Sequence, residues 1–461
     1  MNSENVRLGY VPTRRDLFSR EDAARYKTVV AQKLRSMGVD IVDIEWLNEE
    51  GLLYDTADVE AVVKKFTDAG VDAVFTPHCN FGTEAAVARL GKALGKPLLL
   101  WGPRDDAPLP TGIRTRDSQC GLFATSKALQ RLGVPFTYIT NCRVEDSEFD
   151  RGVKEFLGVA SVIKTFSHMR IGQIDTRPES FWSVIASEGE LLSRFGIEVV
   201  PISLVEIVEA MNARLSGADS EVDRVVEQFR YTADFTEVND QDVRKMAALK
   251  LAILEWAVQK QLSAVAIQCW SALQIATGIM PCFVNAVLTD EGLPVACETD
   301  IHGAITASML YAAGMRTQAV FFADLTIRHP ENDNAELLWH CGPFPPSLRA
   351  EHSPAKVGRH YVLPNPCPGV CEWQIKGGDI TIARFDAADG RYSLLFGKGR
   401  GVSGPMTRGT YVYVEVDDWP AWERKFIYGP YIHHVVGLHA DVCGILEEAC
   451  RYIPGLAPDR V

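Results

Sequence analysis

The sequence predicts two doubly wound α/β domains followed by a β-rich, barrel-like C-terminal domain. Three observations predict it: a strand-then-helix rhythm in the first third, its resumption past residue 156, and a switch to period-two segments with Gly-rich turns in the last third. The 461 residues exceed what one hydrophobic core holds, and the boundaries fall at 1–155, 156–291 and 292–461.

Residues 6–11 are a short apolar strand. Residues 20–37 form an amphipathic helix, with Ala24, Tyr26, Val29, Val30, Leu34 and Met37 at helical spacing and Gly38 as its stop. A strand at 39–44, a helix at 56–68, strands at 73–76 and 97–101, and a helix at 82–94 continue the rhythm. Such alternation predicts a parallel sheet covered on both faces. The second domain reads as strands at 160–163 and 171–173, a helix at 180–195, a strand at 197–201, helices at 204–214 and 240–262, and a strand at 264–268. After a helix at 304–313, the segments 379–385, 392–398 and 410–416 alternate between Gly-rich turns, which predicts an antiparallel sheet or barrel. A helix at 441–452 closes the chain.

Composition narrows the function classes. Hydrophobic residues make up 47% and charged residues 23%, as in an ordinary globular protein, and the net charge of −13 argues against a protein that works by gripping nucleic-acid phosphate. No apolar run approaches the ~18 residues that span a bilayer, and the start lacks a basic-then-apolar leader pattern. With 11 cysteines scattered through the chain, reduced thiols and a cytoplasmic location are expected. Cys367 and Cys371 would need a second ligand pair to hold zinc, His360 being the nearest candidate. No phosphate-binding glycine loop, dinucleotide fingerprint or nucleophile elbow occurs.

Four segments carry chemistry-bearing residues. In Cys297-Glu-Thr-Asp-Ile-His-Gly303 an apolar strand runs into a helix. If the strand continues, Glu298, Asp300 and His302 share one face, as an oxygen and nitrogen site for a divalent cation would require. Alternatively, Asp300 or Thr299 caps the helix. His433 and His434 lie in an extended stretch, where adjacent residues face opposite sides, so one histidine is expected to enter a given site. His340 sits where a strand meets a turn, beside Trp339. His78 and Asn80 occupy a strand-to-helix turn, where open α/β sheets bind ligands, although helix capping is the competing role.

These segments resemble the L-fucose/L-arabinose isomerase superfamily, in its shorter fucose-isomerase-like branch. The resemblance runs along most of the chain: Gly9-Tyr-Val-Pro-Thr-Arg14, Thr76-Pro-His-Cys79, Gln268-Cys-Trp270, Gly278-Ile-Met-Pro-Cys282, Cys297-Glu-Thr-Asp300, Trp339-His-Cys-Gly342 and the late His433-His434 pair. It implies two α/β domains with a β-rich third, a homo-oligomer (trimer or hexamer), and aldose–ketose isomerisation through a cis-enediol. It also implies a divalent metal, Mn²⁺ first, with Mg²⁺ or Co²⁺ as alternatives. By resemblance Asp300 and His434 are metal ligands, and Glu298, beside Asp300, is the acid–base candidate that would take over from the family's second carboxylate. The substrate-binding candidates are Arg14, His78, Asn80, Gln268, Trp270, Asn285, His302, His340 and His433. Asn285 falls where the family carries a second carboxylate. That departure keeps two alternatives open: metal-dependent epimerisation or carbon–carbon cleavage of a sugar, and a non-catalytic sugar-binding relative. Arg14, Arg104, Lys164 and Arg177 could meet an anionic sugar, since guanidinium forks match such groups.

Overall fold

The computed structural model describes residues 6–361 and 366–461 and divides into two compact units, Asn2–Lys164 and Thr165–Val461. The first unit runs β1 (Arg7–Tyr10), α1 (Arg20–Ser36), β2 (Asp40–Val42), α2 (Val59–Asp68), β3 (Ala73–Pro77), α3 (Glu84–Leu94), β4 (Leu98–Trp101), α4 (Ser118–Arg131), β5 (Thr137–Tyr138) and α5 (Ser147–Ser167), the last crossing the division between units. Its sheet is parallel, in the order β2-β1-β3-β4-β5. Alternation along the strands divides the core. Leu8, Tyr10, Phe75, Leu99 and Trp101 pack with α1 and α5, and Val74 packs on the other face with Val62, Phe66 and Leu90.

The second unit begins with β6 (Arg170–Ile174), α6 (Glu188–Phe195), β7 (Glu198–Ile202), α7 (Leu204–Leu215), α8 (Ser220–Thr232), α9 (Asp240–Lys260), β8 (Ala264–Ile267), α10 (Ala272–Thr277), α11 (Cys282–Asp290) and β9 (Val295–Ala296). Its parallel sheet has the order β7-β6-β8-β9. In both sheets the strand order reverses direction beside the first strand, and that crevice is where doubly wound sheets admit ligands.

Helix α12 (Ile301–Ala313) follows, and then strands β10 (Phe321–His329), β11 (Asn332–His340), β12 (Lys356–Arg359), β13 (Pro368–Gln374), β14 (Gly378–Ala388), β15 (Arg391–Val402) and β16 (Thr410–Glu415), α13 (Trp419–Tyr428), β17 (His434–Leu438), α14 (Cys443–Cys450) and β18 (Leu456–Arg460). Strands β16-β11-β10-β17-β14-β15 pair antiparallel, and β15 pairs back onto β16, which closes a six-stranded barrel. The predicted fold class therefore stands. Every residue of α12 except Tyr311 is buried. A helix with no polar face is a core helix, and one hydrophobic core, from Ile174 through Phe283 to Val435, runs from the parallel sheet into the barrel.

Two local expectations need correction. Residues 160–163 are helical, inside the 21-residue α5, because a four-residue apolar run has no period of its own. The region 180–195 is a short 3-10 turn, Trp182–Val184, followed by α6 from Glu188, with the Ser187 hydroxyl capping α6. Among the described residues, Cys367, Cys371 and His360 form no metal-ligand group, and no helix is long and apolar enough to cross a membrane.

Candidate active site

The chain leaves β9 through a strained turn. Glu298 and Thr299 both adopt left-handed backbone angles, φ 55° and 57°, which cost roughly 1–3 kcal/mol each and persist only where surrounding structure enforces them. The Thr299 amide donates to the Ile267 carbonyl, tying the turn to the end of β8. Asp300 then caps α12, its Oδ1 accepting from the Gly303 amide at 2.9 Å. The strand thus stops at Ala296, and residues 298, 300 and 302 do not share a strand face. The capping alternative describes Asp300, and the turn sends Glu298 elsewhere.

Glu298 is 4% exposed. Its Oε1 accepts from Trp270 Nε1 at 3.0 Å and from Cys269 Sγ at 3.2 Å. Its Oε2 is buried and, among the described residues, has no hydrogen-bond partner. The nearest cationic groups are His340 Nε2 at 3.6 Å and His434 Nε2 at 3.9 Å. Asp324, on β10 opposite His434 of β17, presents a second such atom: Oδ1 is buried without a hydrogen bond, 3.5 Å from His434 Nε2. Two carboxylate oxygens therefore converge on one imidazole nitrogen. The ligand atoms of Asp324, His433 and His434 lie within 4.8 Å of one another. Both histidines reach this point, against the expectation of one, because His433 precedes the strand and is not bound by its alternation.

Asp300 is occupied differently. Arg384 grips both its oxygens, with the Nη2–Oδ1 contact at 3.1 Å, and His434 Nδ1 lies 2.9 Å from Oδ2. With the Gly303 amide, all four acceptor positions of the carboxylate are in use. Arg384 and Asp300 are both fully buried, and Arg384 also donates to Asp386, whose Oδ1 meets His302 Nδ1 at 2.9 Å. This chain of charges sets the His434 ring so that Nε2 faces Glu298 and Asp324. Gly303 completes it: a β-carbon there would lie 2.7 Å from Asp300 Oδ2.

Electrostatics follow this wiring. Burial raises Asp300, but Arg384 and His434 outweigh it and hold the group well below the usual carboxylate range. Burial likewise raises Glu298, and His340 and His434 turn the net shift downward. At Asp324 burial outweighs the lowering by His340 and His434, and the group is raised. Burial lowers His434, but Asp300 and Asp324 overcome this and raise it.

A cleft of about 800 Å³ opens beside this centre, at the reversal between β6 and β8. Gln268, Trp270 and Thr299 form one wall, and Thr176, Arg177 and Ser180 another. Trp270, which holds Glu298, is 40% exposed and packs against Phe181. Arg177 is pinned by the Pro178 and Glu179 carbonyls, and it makes no ion pair among the described residues.

The remaining candidates separate. His340 faces Glu298, whereas Asn285 lies in α11, donating Nδ2 to Cys297 Sγ at 3.5 Å. His302 lies on the far side of the charge chain, beyond Asp386. Arg14, His78 and Asn80 belong to the first unit, and each is tied there. Arg14 pairs with Glu50 and Asp16 over the Tyr54 ring, His78 contacts Thr76 and Thr125, and Asn80 accepts from the Arg15 and Gly82 amides. Lys164 also lies there and pairs with Asp72. Asp324 and Arg384 escaped sequence reading, although each left a trace: an acid in the apolar Val320-Phe-Phe-Ala-Asp-Leu325, and Arg384 with Asp386 two apart in Ile380-Thr-Ile-Ala-Arg-Phe-Asp386.

Residues 9–167 match the family described as fucose/sulfoquinovose isomerase, N-terminal domain. The sulfoquinovose isomerase of Priestia aryabhattai is 26% identical over 418 residues, 90% of this chain and 90% of that protein. That of Alkalicoccus urumqiensis is 28% identical over 366 residues, 77% of this chain and 78% of its own length. That of Clostridium sp. (strain MSTE9) is 26% identical over 344 residues, 73% and 74% of the two chains. The chain is thus similar to sulfoquinovose isomerases over most of its length, and to the fucose/sulfoquinovose isomerase family over residues 9–167.

Proposed function

We propose that this protein interconverts the aldose and ketose forms of an anionic monosaccharide through a cis-enediol, at the centre formed by Glu298, Asp324 and His434. The observation that carries this reading is the convergence of two buried carboxylate oxygens that have no hydrogen bond among the described residues, Glu298 Oε2 and Asp324 Oδ1, on His434 Nε2. Buried acceptors without partners are costly, and a cation between them removes the cost. The donor set, two carboxylates with imidazoles, suits Mn²⁺, and equally Mg²⁺ or Co²⁺.

Asp324, His434, Glu298 and His433 would hold such an ion. When bound, it supplies Lewis-acid polarisation of the sugar carbonyl and the neighbouring hydroxyl. Asp300, first expected as a ligand, serves in this proposal to orient His434 through Nδ1, with Arg384 holding Asp300. Glu298 moves the proton between C2 and C1: Trp270 and Cys269 fix its Oε1 and so orient the carboxylate towards the centre. Trp270 offers a face for the sugar ring. Arg177, the cation in the cleft wall, meets the anionic substituent, in keeping with relatives named for sulfoquinovose. Asp324 contributes the second carboxylate that Asn285 cannot, which favours isomerisation over the epimerase, lyase and binding-protein readings.

A panel of neutral and sulfonated aldoses, with Mn²⁺ or with chelator, tests this by NMR. The expected result is metal-dependent ketose formation from the anionic sugar, with solvent deuterium at C1 of the ketose and at C2 of the aldose that re-forms. Turnover that ignores chelator, or full activity in Glu298→Gln, would overturn it. The family resemblance also supports a homo-oligomer, a trimer or hexamer, which sedimentation would test. The eleven free cysteines support a reducing, cytoplasmic setting.

A further inference from the structure

A second group of ligand atoms, of different chemistry, adjoins Glu298. Cys269 follows β8 and Cys297 follows β9, and these are neighbouring parallel strands, so the two thiols emerge side by side. Cys269 Sγ lies 3.2 Å from Glu298 Oε1. The ligand atoms of Cys269, Cys297 and Glu298 all lie within 4.8 Å of one another. None of the three residues is more than 4% exposed. Asn285 Nδ2 supports Cys297 Sγ from behind, as an outer partner does for a ligand.

The spacing fits a small tetrahedral cation. With bonds of ~2.3 Å to sulfur and ~2.0 Å to oxygen, ligand atoms stand on the order of 3.5 Å apart. The Cys269–Glu298 pair is already near that separation. Three protein ligands leave the fourth position to water. The half-exposed Trp270, next in sequence to Cys269, borders the cleft and offers the route in. Softness separates this group from the Asp324, His433 and His434 set, since thiolates select zinc-like ions whereas carboxylate and imidazole suit manganese.

We propose that Cys269, Cys297 and Glu298 bind a thiophilic divalent cation, Zn²⁺ or Cd²⁺, and that its binding inhibits the enzyme by drawing Glu298 away from His340 and His434. The ion takes up two thiolate sulfurs, and the two thiol protons leave to solvent. No electron is transferred. The binding stands on its own geometry; the inhibition rests on the role proposed above for Glu298.

Cobalt titration of the chelator-stripped, full-length protein tests the site without reference to activity. The expected result is a near-ultraviolet sulfur-to-cobalt charge-transfer band that is lost in Cys269→Ser and in Cys297→Ser and kept in Cys443→Ser. Thermal melts identify the folded variants, and either of the first two suffices. Absence of the band in the wild type, or its survival in a folded Cys269→Ser or Cys297→Ser protein, overturns the site. With Mn²⁺ present, zinc should inhibit the wild type, and Cys297→Ser should need about tenfold more zinc or beyond. A band without inhibition upholds the thiol site and overturns the role given to Glu298.

Discussion

Two turns at the carboxyl ends of parallel strands, 76–84 after β3 and 297–303 after β9, are both rich in polar side chains, and they satisfy them in opposite ways. In the first, His78 contacts the Thr76 carbonyl at 3.2 Å and the Thr125 hydroxyl at 2.8 Å, and Asn80 accepts from two backbone amides. Gly82, at φ +78°, packs so closely that a β-carbon would strike the His78 ring. In the second, Asp300 is saturated in the same manner, but Glu298 Oε2 beside it has no hydrogen bond and faces two histidines at 3.6 and 3.9 Å. A strand end makes a site available; the converging buried acceptors without hydrogen bonds set the second turn apart as the proposed one.

The sharpest way to break this comparison is to neutralise one residue in each turn. Glu298→Gln should lower kcat by about 10²–10⁴-fold, the usual worth of a positioned acid–base group, with an unchanged melt. Asn80→Ala should leave kcat within a few-fold and lower stability by about 1–3 kcal/mol. Comparable losses of kcat in both would end the distinction. Next in size is the buried pair behind His434. Arg384→Met strands Asp300 in the core and should cost about 3–5 kcal/mol in denaturant unfolding; a melt like that of the wild type would show that Asp300 does not depend on Arg384.

Two pH effects sharpen it further. Burial pulls His78 down to about 4, so the fold takes it neutral. Its contribution is complete above about 6.5 and is lost as pH falls towards about 4. The wild-type Tm should therefore fall through that window more steeply than the Tm of His78→Gln. Glu336 on β11 is the smallest case and a useful control. Its Oε2 is also buried without a hydrogen bond, and burial raises it to about 7. The neutral acid is stable below the ordinary glutamate range, and that stability is lost as pH rises through about 7. Glu336→Gln should raise Tm at pH 8 and leave it unchanged at pH 4, with no effect on turnover, since no histidine pairs with Glu336. A loss of activity there would mean that an isolated buried acceptor is enough to mark function.

Periodicity made most of the fold legible. The short apolar run at 73–76 marks a strand buried on both faces, and the helical spacing in 20–37 specifies which face of the helix is buried. Where period was absent, reading failed: the run at 160–163 is four residues of a helix. The candidate site was legible to the extent that its residues sit in motifs. Asp324 and Arg384 do not, because an isolated charge in an apolar strand gains meaning only from what stands across the sheet.

By itself the sequence determined the layered α/β architecture and the β-rich character of the last third, and it drew attention to residues 297–303 and His434 as a candidate site. Tertiary structure decided the rest. Barrel closure sets Asp324 beside His434, 110 positions away in the chain, through the β10–β17 register. The left-handed turn separates Glu298 from Asp300. Proximity across strands and the direction of a side chain out of a strained turn are set by packing the whole core, and local composition carries no record of them.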